Sequence, residues 1–388
     1  MRVIVSCEFR FLGTPDGQIW TSSAFAYGFW QRYLTVFTEV AVLARVKPVD
    51  AAEPDWQKVT GPQVQMIALP YYVGLSAMLK KLPELTTTLR TSLESRDCII
   101  YRVPSQTAVL AWLLKPKHRF ALEVVGDPAD VFDAGITRPI TARLLKSFSA
   151  WQLRRMARQA VGVSYVTRDY LQCRYPAVEE AVQVACSSIE LSPEWVATTP
   201  RHYAGPARHL LFVGSFNQLY KGQDLMLSAM QQLLSRDKGY QLVMIGGGNL
   251  LDTMKKLAGE LGIGRQVQFT GELSQAQMRP YFQQAELFVM PSRTEGLPRA
   301  LIEAMAHALP ALGTSVGGIP ELLPTRDLVP VNDCLALAEK IASMADDCHR
   351  LTNASKRNLQ VSKCYQRDTL AGIRSEFYQA VSQRWVKQ

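Results

Sequence analysis

The chain has 388 residues, 47% hydrophobic and 20% charged, enough apolar content for two or three cored domains. No apolar run reaches about 18 residues, so no membrane-spanning helix is expected. The formal charge of +9 suits an anionic partner (nucleotide phosphates, an anionic membrane surface or a nucleic acid) and equally a plainly solubilising surface.

The N-terminal "MRVIVSCEFRF" reads as a strand and lacks a signal-peptide core, so a cytoplasmic location is expected. A loop from Glu8 to Trp20 should follow, with Asp16 and Gly17 in a turn. Further strand candidates are "EVAVLARV", "VQMIAL", "CIIYRV", "FALEVVG" and "VGVSYVT". A second set starts near His209: "HLLFVG", "QLVMIG", "QVQF", "LFVM" and "ALGT". Continuous Val/Ile/Leu runs of this kind are the pattern of strands buried on both faces. Helical periodicity lies between them, as in "GQDLMLSAMQQLLSR" and "LLDTMKKLAGELG". Strand–helix alternation predicts α/β architecture with parallel sheets.

So many strands exceed one ordinary sheet, so two Rossmann-like, doubly wound domains facing across a cleft are expected. The first should span 1–195 and hold the acceptor site, and the second 206–365. "ELSPEWVATTPRHYAGPARH" serves as the linker. A C-terminal helix over 366–388 should cross back onto the first domain. Seven cysteines contain no C-x-x-C and five histidines no H-E-x-x-H, so neither a disulfide framework nor a metal site is expected.

Between Arg138 and Arg158 six basic residues and no acidic ones interleave with Leu144, Leu145, Phe148, Trp151 and Leu153. Such a helix can lie on an anionic membrane or simply pack by its apolar face, and the second is the preferred expectation.

Ligands of open α/β sheets gather beyond the strands' carboxyl ends. After "HLLFVG" come Gly214, Ser215 and then Lys221 near a helix start, a place suited to phosphate. After "QLVMIG" come Gly246, Gly247 and Gly248, either a close backbone approach to a ligand or a tight turn. After "LFVM" comes "PSRTEGLPRALIEAMAHALP", with Glu295 in a loop and Glu303 two turns later, about 12 Å along and about 80° around a continuous helix. "GTSVGGIPEL" then offers Gly317 and Gly318.

"FVGSFNQLYKGQDLML", "LVMIGGG", "EGLPRALIEAMAHALP" and "GTSVGGIPEL" together resemble the retaining glycosyltransferases of family 4, which have the GT-B fold. Glu295 and Glu303 match the family's E-x7-E motif. The resemblance runs from about Leu210 to Leu323. "DGQIWTSSAFAYGFWQRYLTVFTEVAVLARV" and "LEVVGDPADVF" resemble the subgroup that builds bacterial capsular or exopolysaccharide.

The resemblance implies a UDP- or GDP-sugar donor, no further cofactor and no metal, in line with the missing D-x-D. It implies that Glu303 binds the ribose hydroxyls and Glu295 the transferred sugar, with backbone around Gly296, Leu297, Pro298 and Arg299. Lys221 would stabilise the leaving diphosphate, and Gly214, Ser215, Gly246, Gly247 and Gly271 would line the donor site. The acceptor would be a glycan or lipid-linked, with a peripheral contact at the inner face of the cytoplasmic membrane. Three positions depart from the family. Ser215 replaces a common Arg, for which Arg293 or Arg299 is expected to compensate. Pro298 removes a backbone donor. Asp127 stands near the usual sugar-facing His, and its readings are catalytic or turn-capping. The alternatives are a degenerate sugar- or nucleotide-binding scaffold and, in the same architecture, an epimerase or phosphorylase. Nucleic-acid binding rests on charge alone and is not expected.

Overall fold

A computed structural model of the chain describes residues 1–94, 96–129, 139–236 and 239–386. Arg138 and the end of "LEVVGDPADVF" (residues 130–132) lie outside the described residues. Nine strands build the first sheet: β1 (Arg2–Gly13), β2 (Ile19–Thr21), β3 (Glu39–Pro48), β4 (Gln57–Lys58), β5 (Val64–Leu69), β6 (Cys98–Val103), β7 (Ala121–Val124), β8 (Gly162–Tyr165) and β9 (Val182–Ala185). Their order is β4-β2-β1-β6-β7-β8-β9, and β3 also pairs with β1 and carries β5. All pairings are parallel except those of β2 with β1 and β4. The continuous apolar runs explain this: all six residues of "CIIYRV" are buried, as both faces are covered.

The expected loop after the first strand is a correction. β1 continues through a register shift between Ser6 and Arg10 to Gly13. A turn of Thr14–Gln18 then reverses it into β2, with Gly17 at φ 80° at the tip. Only this tip is loop, so the segment from Glu8 is held in the sheet.

The second sheet contains β10 (His209–Val213), β11 (Gln241–Ile245), β12 (Val267–Gly271), β13 (Leu287–Met290), β14 (Ala311–Thr314) and β15 (Leu328–Val329). All run parallel in the order β12-β11-β10-β13-β14-β15. The order reverses between β10 and β13, and in a doubly wound sheet such a switch point opens a crevice at the strand ends. The loops that carry Lys221 and Glu295 leave these two strands.

The helix Arg367–Val386 returns to the first sheet, where Phe377, Tyr378 and Val381 join the core of Val3, Val5, Val42 and Ile100. Its Tyr378 hydroxyl donates to buried Glu123 at 2.7 Å, and Tyr33 donates to the same carboxylate at 3.0 Å. Burial raises the Glu123 pKa, but Arg102 and the tyrosine hydroxyls outweigh it and hold the group below the usual carboxylate range. The linker is fastened to the second domain. Ala197 N–H donates to Ala306 O at 2.7 Å, and the Arg201 guanidinium caps the carbonyls of His307, Ala285 and Phe282.

Candidate functional site at the domain cleft

Lys221 ends a short 3-10 turn, Leu219–Lys221, and Gly222 then turns the chain into the helix Gln223–Arg236. This places the Lys221 ammonium 2.6 Å from Glu295 Oε1, with both side chains largely buried. Ser292, fully buried, donates to the same Oε1 at 2.7 Å. Among the described residues nothing donates to Glu295 Oε2. The loop is therefore built to hold one oxygen and offer the other.

Glu295 is not on the helix that follows, which begins only at Arg299 and ends at Ala306. The helical spacing expected between Glu295 and Glu303 does not apply, because Gly296–Pro298 breaks the path. Within the helix Leu301, Ile302 and Met305 are fully buried. Glu303, on the same helix, is half-buried, and its carboxylate pairs with none of the described residues. Burial drives its pKa up to about 7, against a smaller pull from Arg299 one turn earlier. Such a carboxylate is an acceptor in want of donors. The first turn of the helix also leaves backbone N–H groups unpaired within the helix.

The glycine loops serve this frame. A Cβ on Gly317, at φ +54°, would stand 1.8 Å from the Glu295 carbonyl oxygen, so only glycine lets the two loops stack. The Gly318 N–H then donates to Gly296 O at 2.7 Å. Gly246, at φ +145°, presses against the Gly214 carbonyl, where a Cβ would come to 1.9 Å. Phe216 N–H donates to Gly247 O at 2.8 Å. The triple glycine thus lets one loop approach another. Gly271 pairs with the same segment, as Gly246 N–H donates to its carbonyl at 2.9 Å.

Two expectations change. Arg293 does not stand in for the missing cation at Ser215. It forms a fork with Asp224, both bonds 2.8 Å, and also donates to Leu219 O and Asn332. Its fixed geometry braces the Lys221 turn. Arg299 remains exposed at the helix start. Ser215 accepts from Asn217 N–H at 3.3 Å. Asp127 has no exposed side-chain surface: Tyr175 OH, Arg174 and Ala129 N–H occupy its oxygens. This is the geometry of the turn-capping reading. Gly296 still brings the donor loop against this place, for its Cβ would lie 3.1 Å from Val125 O.

Glu321 has a role that its local sequence does not signal. Its carboxylate crosses from the second domain and accepts from the backbone N–H groups of Arg168, Asp169 and Tyr170 at 2.6, 3.1 and 2.8 Å. Ser292 was likewise missed. The Pro139–Ala157 helix also departs from expectation. Ala150, Leu153 and Met156 pack inward, while Leu144, Phe148 and Trp151 are 67%, 54% and 49% exposed. Phe148 and Trp151 stack on each other with centroids 5.9 Å apart.

Residues 204–359 match the family model described as "Glycosyl transferases group 1". The chain carries a group 1 glycosyltransferase domain. Protein CapJ of Staphylococcus aureus is 24% identical over 82% of this chain and 81% of its own length. A GDP-mannose-dependent alpha-(1-6)-phosphatidylinositol monomannoside mannosyltransferase of Mycobacterium tuberculosis is 30% identical over 40% of this chain and 44% of its own length. This match spans less than half of that mannosyltransferase. In fold, the chain is similar to sucrose-phosphate synthase of Thermosynechococcus elongatus, with TM-score 0.74, 16% identity and coverage of 99% and 100% of the two chains. Anabaena Alr3699/HepE in complex with UDP and glucose gives 0.65, 14% identity and coverage of 99% and 100%. The fold of this glycosyltransferase is GT-B. No helix among its described residues is long and apolar enough to cross a membrane.

Proposed function

We propose that this glycosyltransferase moves a sugar from a nucleoside-diphosphate sugar to a glycan or lipid-linked acceptor, with retention of anomeric configuration, in the making of a cell-surface polysaccharide. The observation that carries the reading is the pair of carboxylates. Glu303 is half-buried with no side-chain partner among the described residues, and Glu295 is half satisfied by Lys221 and Ser292. Carboxylate oxygens accept hydroxyl hydrogens well, and a nucleotide sugar offers a hydroxyl pair at each end. Glu303 takes the ribose and Glu295 Oε2 the transferred sugar.

Lys221 then lies between Glu295 and the leaving group. As the sugar C1–O bond to the diphosphate breaks, negative charge grows on the diphosphate oxygen. The Lys221 ammonium and the N–H groups at the start of the Arg299–Ala306 helix stabilise it. The acceptor oxygen bonds to C1 on the same face, and its proton passes to the departing phosphate oxygen. Neither base nor metal is needed for this proton balance.

The phosphatidylinositol monomannoside mannosyltransferase among the relatives supports a lipid acceptor. The exposed Leu144, Phe148 and Trp151, with Arg143 and Arg155 beside them, favour a peripheral contact with an anionic bilayer. The test is turnover with a panel of UDP- and GDP-sugars in chelator, followed by NMR of the product's anomeric proton. An axial product from an axial donor supports retention. Inversion, or activity only after metal is added, overturns it.

A further inference from the structure

An opening at the cleft has a volume of about 590 Å³ and includes Thr294 of the donor loop. One wall is the Pro139–Ala157 helix, with Arg143, Lys146 and Arg154. Tyr170 and Arg174 line it too, together with the 293–294 and 315–317 loops of the second domain. Five cations line this space, and no carboxylate does among the described residues. Asp127 pairs with Arg174 and Asp224 with Arg293, and the five cations still outnumber these two carboxylates. Arg174 and Arg293 are thereby fixed in place, and Arg154 is tied to the Arg174 carbonyl at 2.9 Å.

Fixed cations in a concave site of this size fit a phosphate, which takes charge-assisted bonds from several directions. The pocket is set apart from the donor carboxylates yet shares their loop, since Thr294 lines it and Glu295 is the next residue. The same helix also exposes an apolar stripe of Leu144, Phe148 and Trp151.

We infer that this interdomain pocket is the acceptor subsite for a phosphate group carried close to the hydroxyl that receives the sugar. The inference rests on the donor reading given above. The phosphate belongs to a lipid headgroup or to a soluble phosphorylated sugar; the cations recognise either, and the apolar stripe favours the lipid.

The test uses the full chain saturated with the nucleoside diphosphate that it binds, so that the donor site is filled. Inorganic phosphate is titrated by calorimetry, and binding to phosphatidylcholine vesicles with and without phosphatidylglycerol is measured by sedimentation. The variants are Arg143→Ala/Lys146→Ala, the charge-keeping Arg143→Lys/Lys146→Arg, and Trp151→Ser. Phosphate binding that falls about tenfold or more in the alanine pair and survives in the charge-keeping pair supports the site. If anionic vesicles also bind, and both the alanine pair and Trp151→Ser lose them, the phosphate is a lipid's. If vesicles bind no variant and phosphate alone follows the charges, the acceptor is soluble. Failure of nucleotide-loaded wild type to take either probe overturns the inference, as does an alanine pair that binds like wild type. Nucleotide binding, measured on the same samples, separates the two readings: its absence would sink the donor assignment and not the anion site.

Discussion

The Lys221 ammonium rests 2.6 Å from Glu295 Oε1, although 74 residues separate the two in the chain. The strands that bring them together, β10 and β13, are neighbours at the point where the sheet order reverses. In the proposed donor reading the pair joins a phosphate-facing cation to a sugar-facing carboxylate, so the two ends of one leaving bond are coupled before the donor arrives.

Removing the cation should therefore damage the chemical step more than binding. Lys221→Ala is expected to lower kcat by about 10²–10³-fold, as losing one transition-state donor does, with nucleotide Kd changed less than about tenfold. Steady-state kinetics and calorimetry check this. Equal losses in both would place Lys221 in ground-state binding.

Glu303 gives a pH dependence with a defined sign. Its folded pKa of about 7 stands above the ordinary 4.5, so the folded state holds a proton that the unfolded state has released between these values. Stability from this group is fully present below pH 4.5 and is lost as pH rises to about 7. The loss is on the order of 3 kcal/mol at most. Glu303→Gln should raise Tm relative to wild type at pH 8, and the difference should shrink at pH 5. Ribose hydroxyls favour the charged form, so nucleotide binding near pH 7 should also release a proton. Titrations in buffers of different ionisation enthalpy would detect it, and matching profiles for wild type and variant would refute the assignment.

Glu321 spans the domains through three backbone N–H groups at the start of the Tyr170–Arg174 helix. Glu321→Ala should destabilise the chain by about 1–3 kcal/mol, since the donors lose a charged acceptor. It should also loosen the cleft, which solution scattering would report as a larger radius of gyration. An unchanged scattering curve with lowered stability would make Glu321 a local cap and not a tie between domains.

Much of this architecture was legible because buried parallel strands leave continuous apolar runs. "LFVM" and "CIIYRV" are such runs, and every residue in both is buried. The two- and three-residue β2, β4 and β15 carry too few residues for a period, and β9 alternates without a strong apolar face. Local motifs around Lys221, Glu295 and Glu303 could be read because each lies directly after a strand or in a helix. Glu321 could not, as its partners come from the first domain, and the pairing of Arg293 with Asp224 was hidden for the same reason. The same limit applied to the Pro139–Ala157 helix. Its basic and apolar composition was plain, but only the burial of Ala150, Leu153 and Met156 fixes which side faces outward.

The most direct test of the donor assignment is calorimetric binding of UDP, GDP and ADP without added metal, to wild type and to Glu303→Ala. The account predicts that one nucleotide binds selectively and that the variant weakens it at least about tenfold, the cost of losing a charged hydrogen-bond acceptor. Binding of none of the three, or equal binding by both proteins, would contradict it.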